Sequence, residues 1–206
     1  MAPFGIGEVL MKTRDFIKEV KLAVMTTVAL AVLLCGIYPV LVWAIAQIGF
    51  SFQANGSLVL REGQVLGSRL IAQGFTGARY FHPRPSAAGE GYDAANSGGS
   101  NLGPLSQKLE DQVKERVAAY RSENGIALSV KIPADAVTAS ASGLDPHISI
   151  RNAELQCARV ANVRGISEAA VRSLIQNHTD GPDLGFLGEP GVNVLELNLA
   201  LDAAKE

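Results

Sequence analysis

One segment constrains what this chain can fold into more than any other. Residues 22–46 (LAVMTTVALAVLLCGIYPVLVWAIA) carry no charged side chain. Wound into an α-helix at about 1.5 Å per residue, the segment is about 37 Å long. The hydrocarbon core of a bilayer is only about 30 Å thick, so such a helix crosses it with tilt. The segment therefore predicts a single transmembrane helix.

Charge on either side of this segment predicts its orientation. The next basic residue after it is Arg61, whereas four precede it closely: Lys12, Arg14, Lys18 and Lys21. Positive charge favours the inner side of the membrane. We therefore expect a cytoplasmic tail over residues 1–21, a span over 22–46 and an exported, periplasmic domain over 47–206. A cleaved signal peptide is the alternative, but the apolar run is about twice as long as a signal peptide needs.

Composition narrows the class of protein further. The chain has 206 residues, of which 48% are hydrophobic and 18% are charged, and its formal net charge is −2. A chain without a basic field is a poor partner for nucleic acid phosphates. The two cysteines, Cys35 and Cys157, fall in the span and in the exported part, so they cannot form a disulfide with each other. The exported domain must therefore fold on its hydrophobic core alone.

The span carries a row of small side chains. Residues four apart lie on one face of a helix, and this row consists of Ala23, Thr27, Ala31 and Cys35. Small side chains let another transmembrane helix approach closely, so this face is a candidate packing surface for a partner helix. The alternative is that alanine and threonine are simply frequent in spans. Further along, Pro39 lacks a backbone N–H and predicts a kink.

Short patterns predict the first elements of the exported domain. Apolar runs at residues 58–60 and 65–66 surround a turn, which is typical of a β-hairpin. Residues 73–104 are rich in glycine, serine, proline and asparagine. They predict a long loop, for which the sequence offers three anchors: Phe75, Tyr80 and Phe81.

Helical signals follow this loop. Apolar residues at near-helical spacing after Pro104 predict a helix that ends before Gly125. A polar loop over 133–149 precedes a predicted helix over about 150–163, and Ser167 is placed to cap another helix.

The C-terminal segment is ambiguous. Asn193 and Glu196 fit the cap of a helix, but four leucines alternate as in a strand: Leu195, Leu197, Leu199 and Leu201. We expect a strand here. The overall prediction is an α+β protein, with one N-terminal transmembrane helix followed by a single exported domain of mixed helices and strands.

Motifs of several enzyme classes are missing from the sequence. It holds no G-x-x-x-x-G-K-[ST] loop and no Asp-Lys-Thr-Gly-Thr sequence of the kind that P-type pumps phosphorylate. The histidines lack the spacing of a metal site; they are His82, His147 and His178. We therefore expect no catalytic residues and no metal site.

The rival hypotheses are a membrane-anchored exported serine hydrolase that uses Ser100 or Ser140 with a histidine, and an anchored binding module that acts alone.

One loop segment is a candidate binding site for an anion. It consists of Ser97, Gly98, Gly99, Ser100 and Asn101. Consecutive glycines before the N-terminus of a helix can direct backbone N–H groups at a phosphate or a carboxylate. The alternative is that Ser100 or Asn101 begins the cap of the helix predicted at Pro104, and that the glycines shape the approach of the chain to that helix.

Several of these segments, in this order, closely resemble one protein family, the C subunit of the bacterial Kdp potassium-transporting ATPase. The resemblance covers essentially everything after the N-terminal tail. The segments that carry it are QANGS (53–57), YFHPRPSA (80–87), SGGSNL (97–102), VTASASGLD (137–145) and VNVLELNLALD (192–202). The chain departs from the family in its longer start, so that Met11 is an alternative first residue to Met1.

The resemblance implies a subunit of an ATP-driven, high-affinity potassium uptake complex of the bacterial inner membrane. Its partners would be a potassium-translocating subunit, an ATP-hydrolysing P-type subunit and a small membrane subunit. The family is described as non-catalytic, and as a catalytic chaperone that raises the ATP affinity of the hydrolysing subunit. Because the charge bias places the segment 97–101 outside, away from cytoplasmic ATP, the sequence favours coupling through the span or the outer domain over direct nucleotide contact.

Overall fold

A computed structural model of the chain describes residues 6–204, with side chains from residue 15 onward. Met1, one of the two starts considered above, lies outside the described residues. The chain divides into two compact units, Met1–Gly56 and Ser57–Glu206. The first unit is helical and the second combines helices with small sheets, so the predicted α+β class is confirmed.

The first unit is a long helix followed by a short one. Helix α1 (Ile6–Ala31) runs into a π-helical turn (Val32–Ile37) and then into α2 (Tyr38–Gly49), and α3 (Ser51–Ala54) follows. Within this first unit, the 35-residue helical stretch Asp15–Gly49 is long and apolar enough to cross a membrane. Almost all of their side chains are exposed within the chain. That exposure distinguishes this helix from the core helix of a soluble domain, which buries its apolar face.

The π-helical turn lies directly before Pro39, where the sequence predicts a kink. Pro39 has no N–H to donate to the carbonyl four residues earlier, so the α-helical ladder is interrupted there. Upstream, the Tyr38 N–H donates to the carbonyl of Leu33, five residues back, as in a π-helix. The disturbance predicted for Pro39 therefore takes the form of a widened turn.

The second unit begins with the predicted hairpin. Strands β1 (Leu58–Arg61) and β2 (Gln64–Ser68) pair antiparallel, with an irregularity in register between Val59 and Leu60. Glu62 and Gly63 form the turn, and both have positive φ angles, 54° and 78°. Two positive φ angles give the turn a twist that matches that of the strands. The predicted hairpin is confirmed.

Three of the predicted helices are present, with one changed boundary. They are α4 (Gln107–Asn124), α5 (Ile150–Arg164) and α6 (Glu168–Asn177). The prediction that α4 starts at Pro104 is wrong by three residues. Residues before it form a turn in which the Ser106 N–H donates to the Gly103 carbonyl at 3.0 Å, and Leu105 is left fully exposed.

The predicted loops are only partly irregular. Residues 73–104 contain no helix or strand, as predicted. The second loop, 133–149, contains a short 3₁₀ turn (Ala134–Ala136) and ends in strand β3 (His147–Ser149). Strand β5 (Gly191–Asn193) lies between β3 and β4 (Thr179–Asp180), and all pairings are antiparallel.

The strand predicted for the C-terminal leucines is wrong. Helix α7 (Val194–Ala203) follows β5 directly, and the Asn193 side chain caps it by accepting the Glu196 N–H at 3.2 Å. The helix is buried on most of its circumference. A helix buried on most sides shows no 3.6-residue apolar period, so the alternation of leucines was misleading, and the cap signal was the correct one.

One main core holds the second unit together. It joins the inner faces of β3, β5, α5, α6 and α7 to one side chain from the long loop, Phe81, which is fully buried. A smaller cluster lies between α4 and the 3₁₀ turn, around Tyr120, Ala136 and Val137. The long loop is therefore part of the core, and not an appendage to it.

The helix caps provide a first test of this fold. The Ser167 hydroxyl accepts the Ala170 N–H at 3.2 Å at the start of α6, whereas Ser106, at the start of α4, makes no such bond. We expect Ser167→Ala to lower the free energy of unfolding by about 1 kcal/mol. Ser106→Ala is the matched control and should change it by less than about 0.5 kcal/mol. Equal losses in urea unfolding of the two variants would contradict the assigned caps.

Candidate functional site

Two buried side-chain amides hold the long loop by its backbone. The Asn198 amide, on α7, accepts the Phe81 N–H at 2.8 Å and donates to the Phe81 carbonyl at 2.9 Å. Gln156, on α5, binds His82 in the same way, at 2.8 and 3.1 Å. Each amide satisfies both backbone polar groups of one residue, as a neighbouring strand would. We call these four residues the amide clamp.

Two arginines add bonds around the amide clamp. Arg159 donates to the Tyr80 carbonyl at 3.0 Å, and burial lowers the pKa of its guanidinium. Arg164 donates to the Arg79 carbonyl at 2.7 Å and pairs with Asp202 at 2.9 Å. These cations are engaged by backbone carbonyls and a carboxylate, so they serve to fix the loop.

The candidate anion segment lies against the second loop. The Ser142 carbonyl accepts both the Gly98 N–H and the Ser97 hydroxyl, each at 2.9 Å. Gly99 packs so closely that an added Cβ would lie 2.9 Å from the Ala141 carbonyl oxygen. The glycines of this segment therefore permit two loops to approach each other.

This placement bears on the use of the segment for an anion. The Gly98 N–H already has a partner, and Ser100 and Asn101 are exposed. Helix α4 begins at Gln107, with Ser106 as its N-cap, so the alternative in which Ser100 or Asn101 begins the cap of a helix at Pro104 is wrong. Nucleotide binding by residues 97–101 stays a prediction.

The geometry does not assemble a serine hydrolase in the part of the chain that the structure describes. The Ser100 hydroxyl has no hydrogen-bond partner there, and the Ser140 hydroxyl lies 3.4 Å from that of Ser142. His82 contacts Glu123 and a backbone carbonyl instead. His147 is engaged by Asp180, with 2.9 Å between His147 Nε2 and Asp180 Oδ2. Neither serine has a histidine to act as its base, which nucleophilic catalysis requires.

Two carboxylates of the second unit, Asp145 and Asp180, have structural partners as well. Asp145 pairs with Arg84 at 2.8 Å. Burial alone would raise the pKa of Asp180, but the hydrogen bond to His147 and the charge of Arg69 outweigh it, so that the pKa is lowered. Burial raises the pKa of the Cys157 thiol. Among residues 15–204, no three His, Cys, Asp or Glu side chains are grouped as metal ligands.

The row of small residues on the span is exposed along its whole length. Ala23, Thr27 and Ala31 lie on α1, and Cys35 lies in the π-helical turn. In an α-helix of 3.6 residues per turn, four residues rotate about 40° further than one full turn, so side chains four apart drift around the helix. A wider π turn opposes that drift, so Cys35 returns towards the line of the preceding residues. A groove on the exposed surface of the span is lined by Ala31, Cys35, Gly36 and Ala44, among others.

Together these features define a class of protein. Within the described residues, one helix of membrane-spanning length and composition precedes an α+β domain in which buried amides and arginines hold loops in place. Comparison with known proteins identifies the family. The family model for KdpC, the c chain of the K+-transporting ATPase, matches residues 20–203. The chain belongs to the KdpC family, which confirms the resemblance inferred from its loops.

Individual relatives agree with the family match, and all carry the name potassium-transporting ATPase KdpC subunit. The protein of Koribacter versatilis is 54% identical over 188 residues, which cover 91% of this chain and 96% of the relative. That of Mycobacterium tuberculosis is 59% identical over 166 residues, or 81% and 88% of the two chains. That of Nitratidesulfovibrio vulgaris is 56% identical over 185 residues, or 89% and 93%.

Sequence reasoning missed the amide clamp. A signal for the clamp was present: Gln156 and Asn198 lie on the buried faces of α5 and α7, where apolar residues are the rule. Polar side chains on a buried helix face indicate a polar partner. The loop residues bound by Gln156 and Asn198 lie 74 and 117 residues away in the chain, so no local pattern identifies them.

Proposed function

We propose that this chain is a non-catalytic subunit of an ATP-driven, high-affinity potassium uptake complex. In that complex it would hold together a potassium-translocating subunit, an ATP-hydrolysing P-type subunit and a small membrane subunit. The observation that carries the proposal is the match to the KdpC family over residues 20–203, which includes both the span and the α+β domain. Among the described residues, neither Ser100 nor Ser140 is paired with a histidine, and the sequence lacks the phosphorylation sequence of P-type pumps; both observations support a role without catalysis.

Membrane topology follows from charge. The basic residues before the span and their scarcity after it support a cytoplasmic N-terminus and an α+β domain outside, in the periplasm, with the span in the inner membrane. In this arrangement the domain lies on the side from which potassium arrives. The exported domain can then contact the outer surface of the partner subunits.

The small-residue face is the proposed contact within the membrane. Ala23, Thr27, Ala31 and Cys35 are exposed and leave room for a close helix approach. Without a hydrophobic driving force in lipid, packing at such faces decides whether helices associate. The π-helical turn supports the proposal because it keeps Cys35 on the same face as the three residues before it.

We also propose that the subunit raises the ATP affinity of the hydrolysing subunit indirectly, as a catalytic chaperone. Two observations favour an indirect route over nucleotide binding at residues 97–101. The segment lies on the proposed outer side of the membrane, and its Gly98 N–H is already bound to Ser142. The effect would then travel through the span and through the outer domain that holds the partners.

Co-purification of a tagged chain from its native membranes tests this function. We expect the P-type subunit and the potassium-translocating subunit to elute with the wild-type chain. Ala31→Leu should lower their recovery severalfold, because the added side chain blocks close helix approach. Ala29→Leu makes the same change on the opposite side of α1 and should leave recovery unchanged.

Two outcomes would overturn the proposal. The first is that no P-type ATPase accompanies the wild-type chain. The second is that purified full-length chain in detergent binds ATP at cellular concentrations in calorimetry, which would contradict the indirect route. A complex prepared without this subunit still contains the phosphorylation sequence of its P-type subunit. We expect it to hydrolyse ATP, but to need a higher ATP concentration for half-maximal hydrolysis.

A further inference from the structure

A cleft in the second unit borders the amide clamp at His82 and Gln156. It opens between the long loop and helices α4 and α5, and its volume is about 290 Å³. That volume is close to the lower end of the range for small-molecule sites, about 300 Å³. The side chains that decide its chemistry are Phe75, His82, Tyr92, Arg116, Tyr120 and Glu123.

Arg116 places a guanidinium with unused hydrogen-bond donors in this cleft. It donates one hydrogen bond, from Nη1 to the Val137 carbonyl at 3.2 Å. Its Nε and Nη2 groups bind none of the described residues, and they are not among the buried unpaired atoms, so water reaches them. By contrast, Arg159, also on the edge of this region, donates to several protein oxygens. Arg116 therefore presents a guanidinium fork that is free to bind a ligand.

The carboxylate in the cleft does not neutralise Arg116. Glu123 Oε1 lies 3.0 Å from Nδ1 of His82, whose Nε2 lies 3.1 Å from the Gly77 carbonyl oxygen. Arg159 Nε also lies 4.0 Å from the same Glu123 oxygen. Glu123 is therefore engaged by His82 and Arg159, whereas Arg116 forms no ion pair with any of the described residues.

The remaining walls are largely apolar. Phe75, Pro83 and Pro85 line the cleft together with the ring of Tyr92, whose hydroxyl is bound to the Arg84 carbonyl at 2.9 Å. A guanidinium fork binds a carboxylate through two parallel hydrogen bonds. Apolar walls beside it favour a ligand whose carboxylate is carried on carbon over a bare inorganic anion.

We propose that this cleft is a binding site for a carboxylate carried on a short apolar stem, with Arg116 as the residue that binds it. Two sources have this chemistry: a free small carboxylic acid, and the acidic side chain of a partner subunit that docks on the outer domain. The site itself is a property of this chain and does not rest on the proposed function. The assignment of the ligand to a partner's acidic side chain does rest on the proposed function.

The first experiment uses the full chain in detergent and sodium propionate as the probe. Amide NMR spectra are recorded during the titration, against the same concentrations of sodium chloride. We expect saturable shifts at Ala119, Ala136 and Val137, which lie at or beside the cleft. Arg116→Gln should weaken propionate binding by about tenfold or more, because a charge-assisted bidentate contact is lost. Lys108→Gln removes the same charge from the exposed face of α4 and should leave the affinity unchanged.

The outcomes are decisive in either direction. Shifts that do not saturate, or that persist in Arg116→Gln, overturn the proposal. Unchanged amide signals far from the cleft will show that Arg116→Gln folds. Arg116→Lys, which keeps the charge but not the fork, should bind severalfold more weakly than the wild type. In the co-purified complex, a retained propionate response assigns the site to a free acid, whereas a blocked response in wild-type complex assigns it to a partner side chain.

Discussion

Gly143→Ala is expected to lower the free energy of unfolding of the α+β domain by about 3 kcal/mol or more. Gly143 has a φ of +68°, which costs a residue with a Cβ about 1–2 kcal/mol. An added Cβ would also lie 2.7 Å from both the Ala88 nitrogen and the Gly98 carbonyl oxygen. These are backbone atoms, so the clash is relieved only by moving the loops apart, at a further cost of about 1–3 kcal/mol.

Gly103→Ala is the matched control for this variant. No atom lies within 4 Å of the position that its Cβ would take, so the free energy of unfolding should change by less than about 0.5 kcal/mol. Urea unfolding followed by far-UV circular dichroism measures both variants. The single tryptophan, Trp43, lies in the span and does not report on this domain. Equal stability of the two variants would mean that the two loops are not packed as described.

The second large effect is expected for Asn198→Ala. Its side chain is fully buried and supplies both partners of the Phe81 backbone. Alanine leaves a buried N–H and a buried carbonyl unpaired, at a cost of about 1–3 kcal/mol for each. We expect the free energy of unfolding to fall by about 3 kcal/mol. Amide hydrogen exchange should quicken at Phe81 before other core positions, because its N–H loses its acceptor.

Asn162→Ala provides the comparison for Asn198→Ala. Asn162 lies on the exposed face of α5, and no side-chain hydrogen bond holds it. Its replacement should change the free energy of unfolding by less than about 0.5 kcal/mol. If Asn198→Ala lost no more stability than Asn162→Ala, the amide clamp would contribute nothing, and the order of the long loop would need another cause.

These two predictions give the family motifs a physical meaning. The segment 80–87 is held by the amide clamp, and the segment 97–102 lies on 137–145 through Gly98, Gly99 and Gly143. The residues by which the chain is recognised as a KdpC protein are therefore largely those that fix two loops against the core. Fixed loops keep the outer surface of the domain in one shape, and a rigid surface loses less entropy when a partner binds.

Local signals were sufficient wherever an element is defined by its own residues. The hairpin follows from a turn between two apolar runs, and α6 follows from a cap at Ser167. Helix α7 was mispredicted because its burial on most sides removed the period that identifies a helix, leaving only the Asn193 cap. Pro39 correctly indicated where the helix is irregular, but the sequence predicted a kink there and the structure has a π-helical turn.

By itself, the sequence determined the span, the order of most elements and the family, because uncharged length, caps and motifs are local properties of a chain. The tertiary structure alone decided how residues 73–104 are ordered and which polar groups remain free. Those features depend on pairs that are far apart in sequence, such as Phe81 with Asn198 and Arg84 with Asp145. A buried polar group takes whatever partner the fold brings to it, and that partner is fixed only when the helices pack.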